Sequence, residues 1–290
     1  MASAGTLLPP FIDHHVHAHL VDTTVLSAGG IAGWVDLGGD PTNLAAARAA
    51  MPHPAYAGAF LTAMGGYPAG RAWAPGGIVR EMTDAADAAA AVAEQAASGA
   101  SLIKVALNAR SGPVPDDEIL RTVVAAARSG GLPVVAHVEG EGMTRRALDV
   151  GVDALAHTPF DDHLDDALLA RAAAQTLWIS TLAIHEAGSP AASSAIAHLA
   201  RFHRAGGRVL YGTDLGNGDL PLGVNATEIE RLLAAGIRGD ALVRALSDPW
   251  PLPHAPAGVG TVVPDAVTGG IRETDAAVAA RFARARVVRM

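Results

Sequence analysis

Short apolar, often β-branched runs alternate along this chain with longer Ala/Leu-rich segments, and Gly, Pro or Asp separates each pair. The strand-like runs are Phe11–His17, Gly33–Leu37, Tyr56–Ala63, Ser101–Leu107, Pro133–Val138, Ala154–His157, Leu177–Leu182 and Arg208–Thr213. Helices are predicted over Asp84–Ala97 and Asp116–Ser129, each opened by an acidic residue that suits a helix N-terminus and closed by Gly99 or Gly130-Gly131. Further helices are expected over Glu141–Val150, Asp165–Gln175, Pro190–Ala205 and Asn225–Ala235. Eight strand-then-helix units of roughly 31 residues predict an α/β fold of the (β/α)8 TIM-barrel type. A doubly wound sheet would show a Gly-rich turn after the first strand, where this chain has Ala18-His19-Leu20-Val21. From Asp248 onward Pro249, Pro251, Pro253 and Pro256 stiffen the chain, followed by Val-rich pieces and one Ala/Arg helix-like segment. The barrel is therefore expected over residues 1–250, with 251–290 a tail packed on it.

Composition narrows the function. The 290 residues carry Lys+Arg 21 against Asp+Glu 29, a net charge of −8, which argues against nucleic acid or an anionic membrane as partner. Zero cysteines remove disulfides, thiolate chemistry and Cys-containing metal sites. Of the 21 basic residues 20 are Arg, and the one lysine, Lys104, follows Ile103, so no phosphate-cradling Gly-Lys-Ser/Thr loop exists. Met1 to Pro10 has neither a basic n-region nor an apolar h-region, and Ala49–Gly70 is broken by Pro52, Pro54, Gly65, Gly66 and Pro68. A soluble, cytoplasmic protein is expected, a homo-oligomer being compatible with the sequence.

Polar residues at strand ends carry the candidate chemistry. His15 and His17 stand two apart on a strand and share a face, as two imidazoles on one metal would. Solvated loop histidines are the alternative, and packing or exposure is the expected fate of His14 and His19. Lys104 lies inside an apolar strand, where a charged amine must be balanced or lose its proton. Alone it reads as a salt-bridged lysine; a Schiff-base nucleophile and a carbon dioxide-carboxylated lysine are the other readings. His137, His157 and Asp214 end the fifth, sixth and eighth strands, and singly each reads as a core, capping or turn residue. Their spacing changes that: 87 residues separate His17 from Lys104, then 33, 20 and 57 lead to His137, His157 and Asp214. All five positions then reach the C-terminal ends of strands 1, 4, 5, 6 and 8, where barrel active sites are built.

The set Asp13-x-His15-x-His17, Lys104, His137, His157 and Asp214 resembles the amidohydrolase superfamily, in its branch with two divalent metals and a carboxylated lysine. Gly33–Gly39 resembles that family's second strand and turn, and Ala57–Gly66 the third strand of its imidazolonepropionase-like and prolidase-like members. The likeness spans residues 11–247. Only about ten residues precede the first strand, so the β-sandwich of many relatives is expected to be absent or reduced to a C-terminal remnant.

The resemblance implies that His15, His17 and Asp214 bind a more buried cation and His137 and His157 a more exposed one, bridged by N6-carboxylysine at Lys104. Zinc suits the N/O ligand set, with Mn, Co, Ni or Fe compatible. A hydroxide between the metals would attack the scissile carbonyl of an amide, dipeptide or cyclic amide, with Asp214 as general base. A lactone or ester hydrolase on the same site, a metal-free Schiff-base lyase using Lys104 and a barrel that only binds are the competing readings. Asp13 is expected to support the ligands. Contacts to a small-molecule substrate are expected from loop residues Tyr67, His163, His185 and Asn217, His185 foremost, with Arg71, Asn108 and Arg110 as further candidates.

Overall fold

The computed structural model describes residues 5–50, 54–265 and 273–290; residues 1–4, 51–53 and 266–272, which include part of the expected tail, lie outside the described residues. Thirteen strands form three sheets among the described residues. Strands β1 (Gly5–Leu8), β12 (Val259–Pro264) and β13 (Arg286–Arg289) make a small antiparallel sheet, ordered β1-β12-β13. Strands β2 (Phe11–Val16), β3 (Ile31–Asp36) and β4 (Pro54–Tyr56) make a parallel one. The third is a seven-stranded parallel sheet ordered β11-β10-β9-β8-β7-β5-β6. Its members are β5 (Phe60–Ala63), β6 (Val79–Met82), β7 (Ile103–Asn108), β8 (Val134–Glu139), β9 (Ala154–Leu155), β10 (Leu177–Ile179) and β11 (Arg208–Leu210).

Backbone bonds join both outer strands of the three-stranded parallel sheet to the seven-stranded one. On one side Ser101 N donates to Tyr56 O at 2.8 Å, tying β4 to the start of β7. On the other, His14 N reaches Tyr211 O at 3.0 Å, Leu215 N reaches His15 O at 3.0 Å, and Val16 bridges Leu215.

The predicted single strand Tyr56–Ala63 is corrected to two, β4 and β5. Gly58 between them has φ +75, and a Cβ there would meet Gln95 Oε1 at 2.2 Å. That oxygen accepts from Ala59 N at 2.8 Å, so the chain turns rather than running through. Strands β6, and the helices α1 (Pro41–Ala50) and α8 (Asp240–Ser247), were not among the predicted elements. The remaining helices are α2 (Ala85–Ala97), α3 (Asp117–Ser129), α4 (Met143–Val150), α5 (Asp166–Gln175), α6 (Pro190–Arg204), α7 (Ala226–Ala234) and α9 (Asp275–Phe282). Asp84, Asp116 and Asp165 each accept the backbone N–H three residues on, which places them as N-caps of α2, α3 and α5. Helix α4 starts at Met143 rather than Glu141 because Gly142, at φ +78, precedes it.

Two apolar layers result. The larger fills the space between the strands and the helices, with Phe11, Trp34, Leu61, Trp178 and Phe202 among its fully buried members. The smaller lies inside the sheets, where Ile12, Val35, Leu102, Val135, Ile179 and Leu210 meet and Trp250 and Leu252 pack beneath. No helix of the described residues is long and apolar enough to cross a membrane.

Candidate metal centre

Above the inner layer, the carboxyl ends of the parallel strands carry polar side chains around a cavity of about 380 Å³. His15 and His17 come from β2 and the residue after it. Lys104 sits in β7, His137 in β8, and His157 just past β9; Asp214 lies four residues beyond β11. All six line the cavity, and each is at most 9 % exposed.

One carboxylate oxygen is the meeting point. Asp214 Oδ1 lies 2.9 Å from His15 Nε2 and 3.2 Å from His17 Nε2. Ligand atoms of His15, His157 and Asp214 all fall within 4.8 Å of one another, and the His137 ring stands 4.9 Å from that of His157. Three imidazoles are held from behind through Nδ1: His15 to Ala156 O at 2.9 Å, His17 to Gly38 O at 3.1 Å, His157 to Thr181 Oγ1 at 2.9 Å. A carbonyl can only accept, so His15 and His17 carry the proton on Nδ1 and turn the Nε2 lone pair inward. His15 Nε2 and Asp214 Oδ1 are buried and close, yet neither completes a hydrogen bond. Such atoms are short of a partner that a divalent cation would provide, and the nitrogen and oxygen donors suit one.

The surrounding shell fixes these groups. Asp13 accepts from His15 N at 3.1 Å, Thr213 N at 3.0 Å and Thr213 Oγ1 at 2.6 Å, tying β2 to the segment carrying Asp214. Asp36 accepts from Gly38 N and Ala18 N, shaping the turn whose carbonyl holds His17. Asp214 and Thr181 have φ of +58 and +43, a left-handed conformation unusual outside glycine that aims both side chains at the site.

Burial and mutual charge set the protonation states. Burial lowers the Lys104 amine to about 7, against the attraction of Asp214. Burial likewise brings His15 down to about 4 and His157 well below the usual imidazole range. Burial alone would raise Asp214, but attraction to His15 and contacts from His15 and His17 hold it well below the carboxylate range. Among the described residues Lys104 Nζ makes no hydrogen bond or ion pair; its neighbour is the Phe60 ring, 5.5 Å away. The salt-bridged reading of Lys104 is thereby corrected: it makes no ion pair among the described residues, and burial outweighs the attraction of Asp214 and Asp36 in lowering its amine.

The loop candidates divide. Tyr67, His185 and Asn217 line the cavity, whereas His163 is exposed and does not. Asn217 Nδ2 donates to Asp214 Oδ2 at 2.8 Å, so it orients the carboxylate. Arg71 is exposed and lies over the Tyr67 ring, and Arg110 is exposed and paired with Asp161. His14 is fully buried between Tyr211 O and Asp248 O, a packing role as expected. Sequence reading passed over Glu139, which lines the cavity 3.4 Å from His137 Nε2 and accepts from Asn108 Nδ2 at 2.7 Å. Its signal was present, two residues past His137 on the same strand face. Nothing local marked Thr181, or Phe60, Trp73 and Phe160 on the cavity wall.

The profile of the amidohydrolase family matches residues 6–247, and the chain belongs to that family. It is thus a hydrolase acting on carbon–nitrogen bonds, of a family that generally uses divalent metals. No curated protein matches it in sequence. Among solved structures it resembles a Xaa-Pro dipeptidase with methionine bound in the active site: TM-score 0.70, 19% identity, over 90% of this chain and 81% of that one. A putative prolidase from Bifidobacterium longum superposes with TM-score 0.70 at 21% identity, over 83% of this chain and 68% of the other. Molinate hydrolase gives TM-score 0.70 at 13% identity, over 98% and 82%. At these identities the likenesses establish the shared fold.

Proposed function

We propose that this chain is a dinuclear metal-dependent amidohydrolase that cleaves the carbon–nitrogen bond of an amide, dipeptide or cyclic amide. The observation that carries the reading is the set of imidazoles tied back through Nδ1, with His15 and His17 turning Nε2 onto one buried oxygen of Asp214. The scaffold in this reading is a closed (β/α)8 barrel within residues 1–250, a reading supported by the Tyr56–Ser101 and His14–Tyr211 bonds between the two parallel sheets. The 251–290 tail then belongs with β1, as a remnant of a β-sandwich.

His15, His17 and Asp214 would hold one cation and His137 and His157 a second, most suitably zinc. A carboxylated Lys104 would bridge them. The neutral Lys104 amine adds to carbon dioxide, forming an N–C bond and releasing one proton, and the carbamate brings the negative charge that the buried site lacks. When bound, the cations supply Lewis acidity to a water and to the scissile carbonyl. Asp214, ionised at neutral pH, accepts the water's proton and passes it to the departing nitrogen. Asn217 holds the second oxygen of that carboxylate, and Phe60 and Trp73 pack around the His17 ring beside it.

Metal content and carbamate signal test this reading. Protein reconstituted under ¹³C-labelled carbon dioxide should hold two cations and show a carbamate carbonyl resonance that Lys104→Ala lacks. Two cations and full turnover in Lys104→Ala would overturn the bridge. The lowered Lys104 amine also suits a Schiff-base lyase, for which borohydride should trap a substrate adduct in metal-free protein.

A further inference from the structure

The cavity sorts its wall residues by polarity. Its floor is the histidine and aspartate cluster, and its sides are largely aromatic and apolar: Leu20, Phe60, Trp73, Phe160 and Ile184. Tyr67 stacks on His137 at 5.2 Å between ring centroids, and Phe160 meets His185 edge-on at 4.7 Å. The polar groups on these sides are the Tyr67 hydroxyl, the His185 imidazole and the Asn217 amide, all uncharged in their ordinary states at neutral pH, together with the Glu139 carboxylate. Among the described residues Lys104 is the one lysine or arginine on the wall, and it lies in the floor.

Three guanidinium groups neighbour wall residues, and none is part of the lining. Arg71 is exposed with Cζ 5.9 Å from the Tyr67 ring centroid, outside the lining. Arg110 is paired with Asp161. Arg231 spends Nη1 on the carbonyls of Leu182 and His185, the latter at 2.9 Å. A substrate carboxylate directed along the wall, away from the floor, would lie against aromatic rings or near Glu139, and a buried anion without a partner is strongly disfavoured.

Resting on the hydrolytic reading above, we infer that the substrate is an uncharged amide bearing an aromatic or branched apolar group, and that acyl amino acids and dipeptides with a free α-carboxylate are rejected. The aromatic sides take the apolar group by burial and ring contact. Tyr67, His185 and Asn217 offer hydrogen bonds to neutral polar atoms. Glu139, anchored by Asn108, repels an anion along its part of the wall.

A matched pair tests the inference. N-acetyl-2-phenylethylamine and N-acetylphenylalanine contain the same amide and ring and differ in the carboxylate. The reconstituted enzyme should favour the neutral compound in kcat/KM by about 100-fold or more. Equal or reversed preference overturns the inference. Binding is read separately in metal-free protein from quenching of Trp73 fluorescence, with Trp73→Phe as the control that locates the signal. If the neutral compound binds and the acid does not, while neither is hydrolysed, the inference stands and the hydrolytic reading fails. If neither binds, or the acid binds as well, the inference fails. Leu20→Arg, a substitution at a partly exposed wall position, should shift the preference at least about 10-fold toward the acid by supplying the missing cation. No shift would argue that charge on this wall does not select.

Discussion

Leu102 and Lys104 stand two residues apart on one face of the same stretch of chain, and so do Val135 and His137 on β8. The members of each pair are about 7 Å apart along the strand and all are buried. At the lower level burial removes apolar area from water and stabilises the fold. At the upper level the same burial strips hydration from ionisable groups, and Lys104 and His15 respond by losing protons. The two levels share a backbone, so the rigidity gained below holds the polar groups above at distances they would not choose alone. The placement of the polar cluster depends on the apolar layer beneath it as much as on the polar side chains themselves.

The two levels should separate cleanly under mutation. Lys104→Ala should reduce turnover by on the order of 10³-fold or more, with loss of metal measured on the same sample, because several kcal/mol of transition-state stabilisation depends on the cations. Compared in the metal-free state, the variant should be at least as stable as the parent in urea, since a buried amine whose charged form burial disfavours has gone. Leu102→Ala should do the reverse, lowering unfolding free energy by about 2–5 kcal/mol in denaturant titrations while leaving turnover per folded molecule near the parental value. Stability loss from Lys104→Ala equal to that from Leu102→Ala would erase the distinction.

A third contrast lies at the side of the site, where Glu228 is fully buried under the segment that follows β10. Its carboxylate accepts from Ala183 N at 2.6 Å, and burial raises it from 4.5 to about 7. Because its folded pKa is raised, the folded state keeps a proton that the unfolded chain releases. Its contribution therefore falls as pH rises from about 4.5 to about 7, by up to roughly 3 kcal/mol through linkage. Glu228→Gln should lack that component of the slope in metal-free protein, and an unchanged slope would refute it. The smallest effect is expected at Thr181, whose hydroxyl holds His157 Nδ1. Thr181→Ala should weaken metal affinity by about 10–100-fold in a chelator competition, with Thr181→Ser restoring it.

Much of the site was legible in the sequence because a regular alternation of parallel strands and helices converts spacing into position: His15, His17, Lys104, His137, His157 and Asp214 all sit around one cavity. The fold was legible where alternation was strong, as in β7 and β8, and misread at Tyr56–Ala63. There an apolar run hides a glycine whose positive φ follows from contact with Gln95, a residue on a helix distant in sequence. His163 looked like a mouth residue by its place after the sixth strand, yet it faces solvent. Glu139 was passed over although its two-residue offset from His137 put it on the wall. Thr181 acts through a hydroxyl that only the folded chain brings to His157, and no local pattern announces it.

Helix α7 grips the 182–185 segment with two side chains one turn apart: Glu228 takes the Ala183 N–H, and Arg231 takes the Leu182 and His185 carbonyls. Ile184 and His185 of that segment lie on the cavity wall, while Glu228 and Arg231 do not. The helix is therefore a lever on the shape of the cavity wall that stands outside the cavity. A change in how the helix holds the segment would move that wall, with the histidine and aspartate cluster left as it is.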